Sequence, residues 1–498
     1  MKPISPLADK KYFCRVAENF LSAVECAALI ARIGATASAN SDYPPSYRNN
    51  QRKVFHDPAL AVELAARMQT MFGAELVMPE AEFVGINPRW RGCRYSAGEG
   101  FNIHQDGVFH PRADNASNEI LSRLTFMLYL DGRDNFTGGD TIFFADGPGT
   151  AGAQIEIGRY RPQLGALIVF SHTLWHAGEV VSAGSKAILR SDLLYRDRVA
   201  KPADAHNGYV FCVAKLDAQT HASGGRDGDI RLWQADCNTA TLHVAEQSIV
   251  KIAALGEDHL VAISRDRSIS IWHWRSQILV ARKQACFAAT PLAVLALDSK
   301  NFLVSDATGS VSLCSFQGRQ LRLRQQSKLH LGWAWAMCAL PSGEFASVGE
   351  DGAVVIFAAN FQIITRLDLT APQRAIVSAE DGTLYCGDAN GQIYQLRIGL
   401  GTLTETQRWC AHTAAVRCLQ LDSGGQLWSG AEDNQLLVWR VSAKAMPSVI
   451  AQHALAGFVC DVLVTENKAW VASYAGHLGI EIADKIEHFG CQDKPHEF

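Results

Sequence analysis

His104 and Asp106 form the only H-x-D tripeptide of the chain, in Arg94-Tyr-Ser-Ala-Gly-Glu-Gly-Phe-Asn-Ile-His-Gln-Asp106. An imidazole and a carboxylate are both metal ligands. Residues two apart on a strand share a face, so a strand here is expected to aim both at one ion. With 16 His in the chain, one such tripeptide is expected by chance and carries little by itself. The second observation is His176, in Leu174-Trp-His-Ala-Gly-Glu-Val-Val-Ser-Ala-Gly-Ser-Lys186. It falls between two predicted strands, which a β-sandwich can bring against a distant third. Two His and one carboxylate leave three coordination positions open and suit non-haem Fe(II). A structural zinc site would instead close with four protein ligands.

Open positions need a ligand and an anchor for it. Lys186 lies ten residues past His176, and Arg190 lies on the same face of the same predicted strand. A buried cation at either place can hold a distal carboxylate. Arg190 can equally be an ion-pair partner of Asp192. Tyr95 and Tyr129 are candidate hydrogen-bonding groups for the same ligand.

These residues must be positioned by a scaffold that the first 200 residues outline. Ser22-Ala-Val-Glu25 is a capping box, followed by a stripe of Leu21, Val24, Ala28, Leu29 and Ile33. Asp57-Pro58 starts a second helix, with Leu60, Leu64, Met68, Met71 and Phe72 at helical spacing. Strands are expected over Leu121–Leu130, Thr141–Phe144, Leu164–Phe170 and Lys186–Tyr195. The pattern predicts an all-β sandwich or jelly roll behind a helical layer. Arg196 to Ala205 is polar, contains Pro202 and reads as a linker.

Beyond it the chain repeats. The segments SGGRDGDIRLW, AISRDRSISIW, VSDATGSVSLC, SVGEDGAVVIF, CGDANGQIYQL, SGAEDNQLLVW and ASYAGHLGIEI carry turns at Asp227, Asp266, Thr308, Asp351, Asn390, Asp433 and Ala475. The turns are 39, 42, 43, 39, 43 and 42 residues apart. Each unit is a turn followed by a strand ending on a large apolar residue. Such sheets cannot bury both faces alone, so the units are expected to stack in a ring.

Composition bounds the rest. The chain has 498 residues, 48% apolar and 19% charged, which excludes a disordered or low-complexity protein. Lys plus Arg is 46 and Asp plus Glu is 50, a net charge of -4 that offers no general field for nucleic acid or an anionic membrane. There is also no basic-aromatic run to mark a strand-binding groove. The thirteen Cys lack any C-x-x-C pair and read as reduced buried thiols. The N-terminal stretch has no apolar signal-like region, and Leu164–Phe170 is too short to span a bilayer, so a soluble cytoplasmic protein is expected.

Two resemblances follow from these residues. Residues 205–490 resemble the WD-repeat β-propeller family, with Trp233, Trp272 and Trp439 at its signature Trp and Cys314, Phe357 and Leu396 departing from it. Seven units imply seven blades. Residues 14–196 resemble the prolyl-4-hydroxylase type of Fe(II)/2-oxoglutarate dioxygenases. The matching pieces are His104/Asp106, Tyr95-Ser-Ala-Gly, Leu124-Thr-Phe-Met-Leu-Tyr-Leu130, Gly138-Gly139, Pro162-x-x-Gly165, and His176 with Lys186. This resemblance implies a double-stranded β-helix, with Fe(II) on His104, Asp106 and His176. It implies 2-oxoglutarate and O2 as co-substrates, with ascorbate as a reductant. The distal carboxylate of 2-oxoglutarate would rest on Lys186 and Tyr129. Arg190 is an extra basic residue for this family; either cation could be the main anchor, and spacing favours Lys186.

The expectation is thus a mainly β protein of two domains. Residues 1–200 would be a jelly roll with flanking helices and residues 201–498 a seven-bladed propeller. The expected function is hydroxylation of an unactivated C–H, on a prolyl or other side chain of a protein or peptide that the propeller recruits, with 2-oxoglutarate converted to succinate and CO2. The alternatives are a small-molecule hydroxylase with a scaffolding propeller and a non-catalytic WD-repeat scaffold with a relic oxygenase domain.

Overall fold

Ser22 opens the first helix as a capping box: its side chain accepts the Glu25 N–H, and the Glu25 carboxylate accepts the Ser22 N–H. Helix α1 (Ala23–Ile33) buries Cys26, Leu29 and Ile33. Val24 and Ala28, expected on that stripe, are exposed, because the helix seats on the face centred on Cys26 and Leu29. Asp57 caps α2 (Pro58–Phe72) by accepting the Leu60 N–H, and α2 buries Ala61, Leu64, Met68 and Phe72.

The computed structural model describes residues 5–7, 13–34, 50–79, 81–106, 109, 120–145, 155–197, 206, 208–245, 247–284, 286–399, 401–442, 445–455, 457–465 and 468–481. The chain divides into two compact units, Met1–Gly208 and Tyr209–Phe498.

In the first unit the strands are β1 (Cys14–Ala17), β2 (Gln51–His56), β3 (Ala81–Ile86), β4 (Arg89–Ser96), β5 (Phe101–His104), β6 (Ile120–Tyr129), β7 (Phe136–Gly138), β8 (Thr141–Phe144), β9 (Glu156–Tyr160), β10 (Leu167–Ser171), β11 (Trp175–Gly178) and β12 (Val181–Asp197). One sheet runs β1-β10-β6-β12-β4-β2, with β3 and β7 also paired to β12. A second runs β5-β11-β8-β9. Helices cover one face of the large sheet: Cys26, Leu29, Leu64 and Met68 share a core with Phe126, Leu128, Ala187 and Leu189. The other face packs on the small sheet, with Ile188, Met127, Tyr129 and Phe170 joining Phe143 and Leu174. Strand alternation therefore sends Lys186 and Arg190, two residues either side of Ile188, toward the small sheet.

Two boundaries differ from the sequence pattern. Strand β10 begins at Leu167, not Leu164, because Gly165 turns the chain in a left-handed conformation (φ 75°) and hands its N–H to the Tyr129 carbonyl. A Cβ there would stand 2.1 Å from the Leu21 carbonyl oxygen. Arg196 and Asp197, read as the start of a linker, are the last residues of β12, paired with Glu82 and Ala81. Residues 198–205 of that linker lie outside the described residues.

The second unit is a succession of antiparallel sheets. The first holds Val210–Lys215, Thr220–Gly225, Asp229–Gln234 and Cys237–His243 in that order. Five more of four strands follow, then one of three (Val459–Val464, Lys468–Ser473, Gly476–Glu481), making seven sheets among the described residues. First strands of successive sheets pack side by side, and Val459–Val464 packs against Val210–Lys215. Val210, Val213, Leu463 and Trp470 share that last junction.

Side-chain bonds repeat with the sheets. Asp227, Asp266, Asp351 and Asp433 each accept the N–H two residues on. At Thr308 and Asn390 the relation is reversed: Asp306 and Asp388 accept their N–H groups. His412 and His330, which the sequence pattern does not single out, lie 21 residues before Asp433 and Asp351 and bond to them. His412 Nε2 lies 2.7 Å from the Ser429 hydroxyl, which also accepts the Trp439 indole N–H at 2.9 Å. Among the described residues the cysteines are free and mostly buried, and no helix is long and apolar enough to cross a membrane.

Candidate metal centre

Strand β5 ends at His104 and pairs antiparallel with β11, so that His176 stands directly opposite His104. Their ring centres are 4.2 Å apart. Asp106 joins them by a different route from the expected strand alternation. It lies past the end of β5, where its N–H bonds the His172 carbonyl at 3.1 Å. The carboxylate reaches both rings: Oδ1 is 3.7 Å from His104 Nε2 and Oδ2 is 3.6 Å from His176 Nε2. One ligand atom from each residue falls within a mutual 4.8 Å, and all three residues are buried.

The ring orientations suit metal binding. His104 Nδ1 is 2.7 Å from the Asn102 carbonyl, and His176 Nδ1 is 2.9 Å from the Leu174 carbonyl. A carbonyl can only accept, so each Nδ1 carries the hydrogen and each Nε2 turns a lone pair toward Asp106. Burial pulls both imidazoles below their usual value, with the neighbouring His176 adding to it at His104, which favours the neutral, ligating form. For Asp106 burial acts upward. The Arg190 guanidinium, His176 and His104 outweigh it and hold the carboxyl well below its usual range. Two neutral imidazoles and one carboxylate, held on buried backbone partners, fit a divalent transition metal at three positions.

Asp106 is held on both oxygens. Arg190 Nη2 lies 2.5 Å from Oδ1, and the Thr125 hydroxyl donates to Oδ2. Arg190 thus belongs to the metal end of the site. Its expected pairing with Asp192 is the longer contact, at 3.8 Å. Asp192 is held more closely by Arg91 at 2.8 Å and Asn87 at 3.1 Å.

Lys186 stands four residues from Arg190 on the same strand, about 13 Å away along it. It is opposite Tyr95 in the neighbouring strand β4. Its ammonium donates to the Gly139 carbonyl and sits 5.7 Å from the Tyr95 ring centre and 5.6 Å from that of Tyr129. Gly139 is in the left-handed region (φ 71°), and a Cβ there would come 3.3 Å from the Lys186 chain. The Tyr129 hydroxyl is 2.6 Å from that of Thr141. Burial pulls Lys186 down to about 8, against the opposing pull of Asp140 and Glu179. The structure thus groups Lys186, Tyr95 and Tyr129 and separates Arg190 from them.

Thr125 and Thr141 are not among the site residues that the sequence singles out. Thr125 sits at even spacing before Tyr129 on β6 and opposite Asp192 on β12, so the period of two was its one available signal.

The WD domain, G-beta repeat family model matches residues 200–234 and 403–440. The second match begins on the last strand of the fifth sheet and runs through three strands of the sixth. Among solved structures, Sqt1 of Saccharomyces cerevisiae is similar at 14% identity, covering 56% of this chain and 83% of that one, with a TM-score of 0.46. The WD40 beta propeller domain of Doa1 is similar at 16% identity, covering 56% of this chain and 94% of that one, with a TM-score of 0.49. No curated protein matches the chain. The protein is mainly β and carries WD40 repeats in a propeller-like fold.

Proposed function

We propose that the first unit is an Fe(II)/2-oxoglutarate-dependent hydroxylase on a double-stranded β-helix. We also propose that the second unit is a seven-bladed propeller that recruits a protein or peptide substrate. The observation that carries the first reading is the convergence of His104, Asp106 and His176 with both Nε2 atoms turned inward. Fe(II) with 2-oxoglutarate and O2 would supply oxidation of an unactivated C–H, the co-substrate leaving as succinate and CO2.

The chain's residues would do the binding and orienting. His104, Asp106 and His176 would hold the metal through three positions and leave three for co-substrate and O2. Thr125 and Arg190 would keep the Asp106 carboxylate in one orientation. Lys186 would exchange the Gly139 carbonyl for the distal carboxylate of 2-oxoglutarate, and Tyr129, whose ring centre is 5.6 Å from the ammonium, would bond the same carboxylate. Phe143 and Phe170 lie against His176 and would keep bulk water from that side.

A WD-repeat scaffold is the second reading, favoured by the repeat matches at 200–234 and 403–440. Propellers are rigid rings that present loops to protein partners. The first unit would then bind metal without turnover.

One experiment separates the two. The full chain is incubated with Fe(II), 2-oxoglutarate and O2, and succinate is measured. The hydroxylase reading expects release that is lost in His104→Ala and Asp106→Ala. Release absent in the wild type, or unchanged in both variants, leaves the scaffold.

A further inference from the structure

A second pair of imidazoles meets where the ring of sheets closes. His221 is in strand Thr220–Gly225 of the first sheet, and His477 is in strand Gly476–Glu481 of the seventh. They are 256 residues apart in sequence, yet their Nε2 atoms stand 3.2 Å from each other. Their ring centres are 5.1 Å apart, with planes inclined by 32°.

Those two distances put the nitrogens at hydrogen-bonding range and also suit two rings aimed at one shared target. Two imidazoles on one tetrahedral Zn(II), each at about 2.0–2.1 Å, have nitrogens roughly 3.3 Å apart and ring centres roughly 5.2 Å apart. A collinear N–H···N bond of the same length would spread the ring centres to about 5.5 Å. The observed pair is bent in the manner of two ligands of one ion.

The surroundings hold both rings in that pose. Trp470 lies parallel to His477 at 5.4 Å and tilted against His221 at 4.0 Å. Trp233 stacks on His477 at 4.5 Å and on His221 at 6.4 Å. His221 is buried and His477 is half-buried. Lys468, in this seam, is held by both carboxylate oxygens of Asp236 at 2.7 and 3.0 Å. Its charge is therefore largely offset.

We propose that His221 and His477 form a second metal site, for a divalent transition ion of the Zn(II) class, that clips the seventh sheet to the first. Imidazole nitrogen is a preferred donor for such ions. Water would fill the remaining positions. Because the ligands come from opposite ends of the ring, an ion bound there would stabilise closure by mass action. This site is independent of the proposed hydroxylase activity.

The test uses the full chain and Zn(II) alone. Bound Zn(II) is titrated, and the melting temperature is followed in wild type, His477→Ala and His104→Ala. The expected result is that His477→Ala loses one equivalent and at least tenfold in the corresponding affinity, together with part of the Zn(II)-dependent rise in Tm. His104→Ala is expected to lose a different equivalent and keep that rise. Equal binding and equal Zn(II)-dependent rise in wild type and His477→Ala overturn the proposal. Hydrogen exchange on the wild type needs no variant: Zn(II) should slow exchange in both Thr220–Gly225 and Gly476–Glu481. Unchanged exchange in those strands at saturating Zn(II) is equally contrary.

Discussion

Arg190 and the buried Asp106 form an ion pair in which the half-buried guanidinium's Nη2 lies 2.5 Å from Oδ1, the oxygen that also faces His104. Each carboxylate oxygen therefore has one orienting partner and one imidazole: Arg190 and His104 on Oδ1, Thr125 and His176 on Oδ2. The arrangement neutralises a carboxylate that burial would otherwise protonate.

Removing one member of a buried pair leaves the other charge uncompensated, at a cost of about 3–5 kcal/mol. Arg190→Met is expected to lower the stability of the metal-free first unit by roughly that amount. A divalent ion on Asp106 replaces the missing charge, so Mn(II) should restore more stability in the variant than in the wild type. Urea unfolding with and without Mn(II) measures the difference; equal gains in both proteins contradict this role.

Thr125→Val keeps the shape of a fully buried side chain and removes one donor to Asp106. A hydrogen bond to a charged group is worth about 1.5–3 kcal/mol, and loss of such supporting contacts typically weakens metal binding 10–100-fold. Titration with Mn(II) followed by electron paramagnetic resonance checks this. Affinity within a factor of two of wild type excludes a positioning role.

Lys186 gives a pH signature. Its folded value of about 8 lies below its ordinary value of 10.5. Below pH 8 both folded and unfolded chains carry the proton, and the cost of burying the charge is fully present. Between about 8 and 10.5 the unfolded chain holds a proton that the folded chain has lost, so stability rises with pH across that window. Lys186→Met should flatten the rise. The ammonium is the form that binds a carboxylate, so 2-oxoglutarate affinity should fall about tenfold per pH unit above that value. Calorimetry from pH 7 to 10 tests both, and an affinity flat across the range removes Lys186 as the anchor.

In the second unit, His412→Ala removes one partner each from Ser429 and Asp433, which keep the Trp439 indole and the Gln435 N–H. Each lost hydrogen bond costs about 0.5–1.5 kcal/mol. The second unit's unfolding midpoint should drop, while Mn(II) affinity at His104, Asp106 and His176 stays at the wild-type value. A change in that affinity would tie the sixth sheet to the metal centre.

Much of the scaffold was legible because it is local. The capping box at Ser22 and the Asp57-Pro58 start are written in neighbouring residues and form as read. The repeat spacing anticipated the succession of sheets after residue 209, since each turn and strand is short-range. The stripe on α1 was misjudged because Cys26 seats the helix and a small thiol gives little hydrophobic signal.

The sequence by itself determined which residues could ligate a metal. Residue type sets donor chemistry, and alternation sets faces. Only the tertiary structure decided how the donors meet. Asp106 arrives from beyond β5 by way of the His172 carbonyl, not by strand alternation. Arg190 and Lys186 share a strand face, yet the first reaches Asp106 and the second lies between Tyr95 and Tyr129. His221 finds His477 across 256 residues. These pairings depend on the stacking and closure of sheets, which fix distances between residues whose separation along the chain carries no information about them.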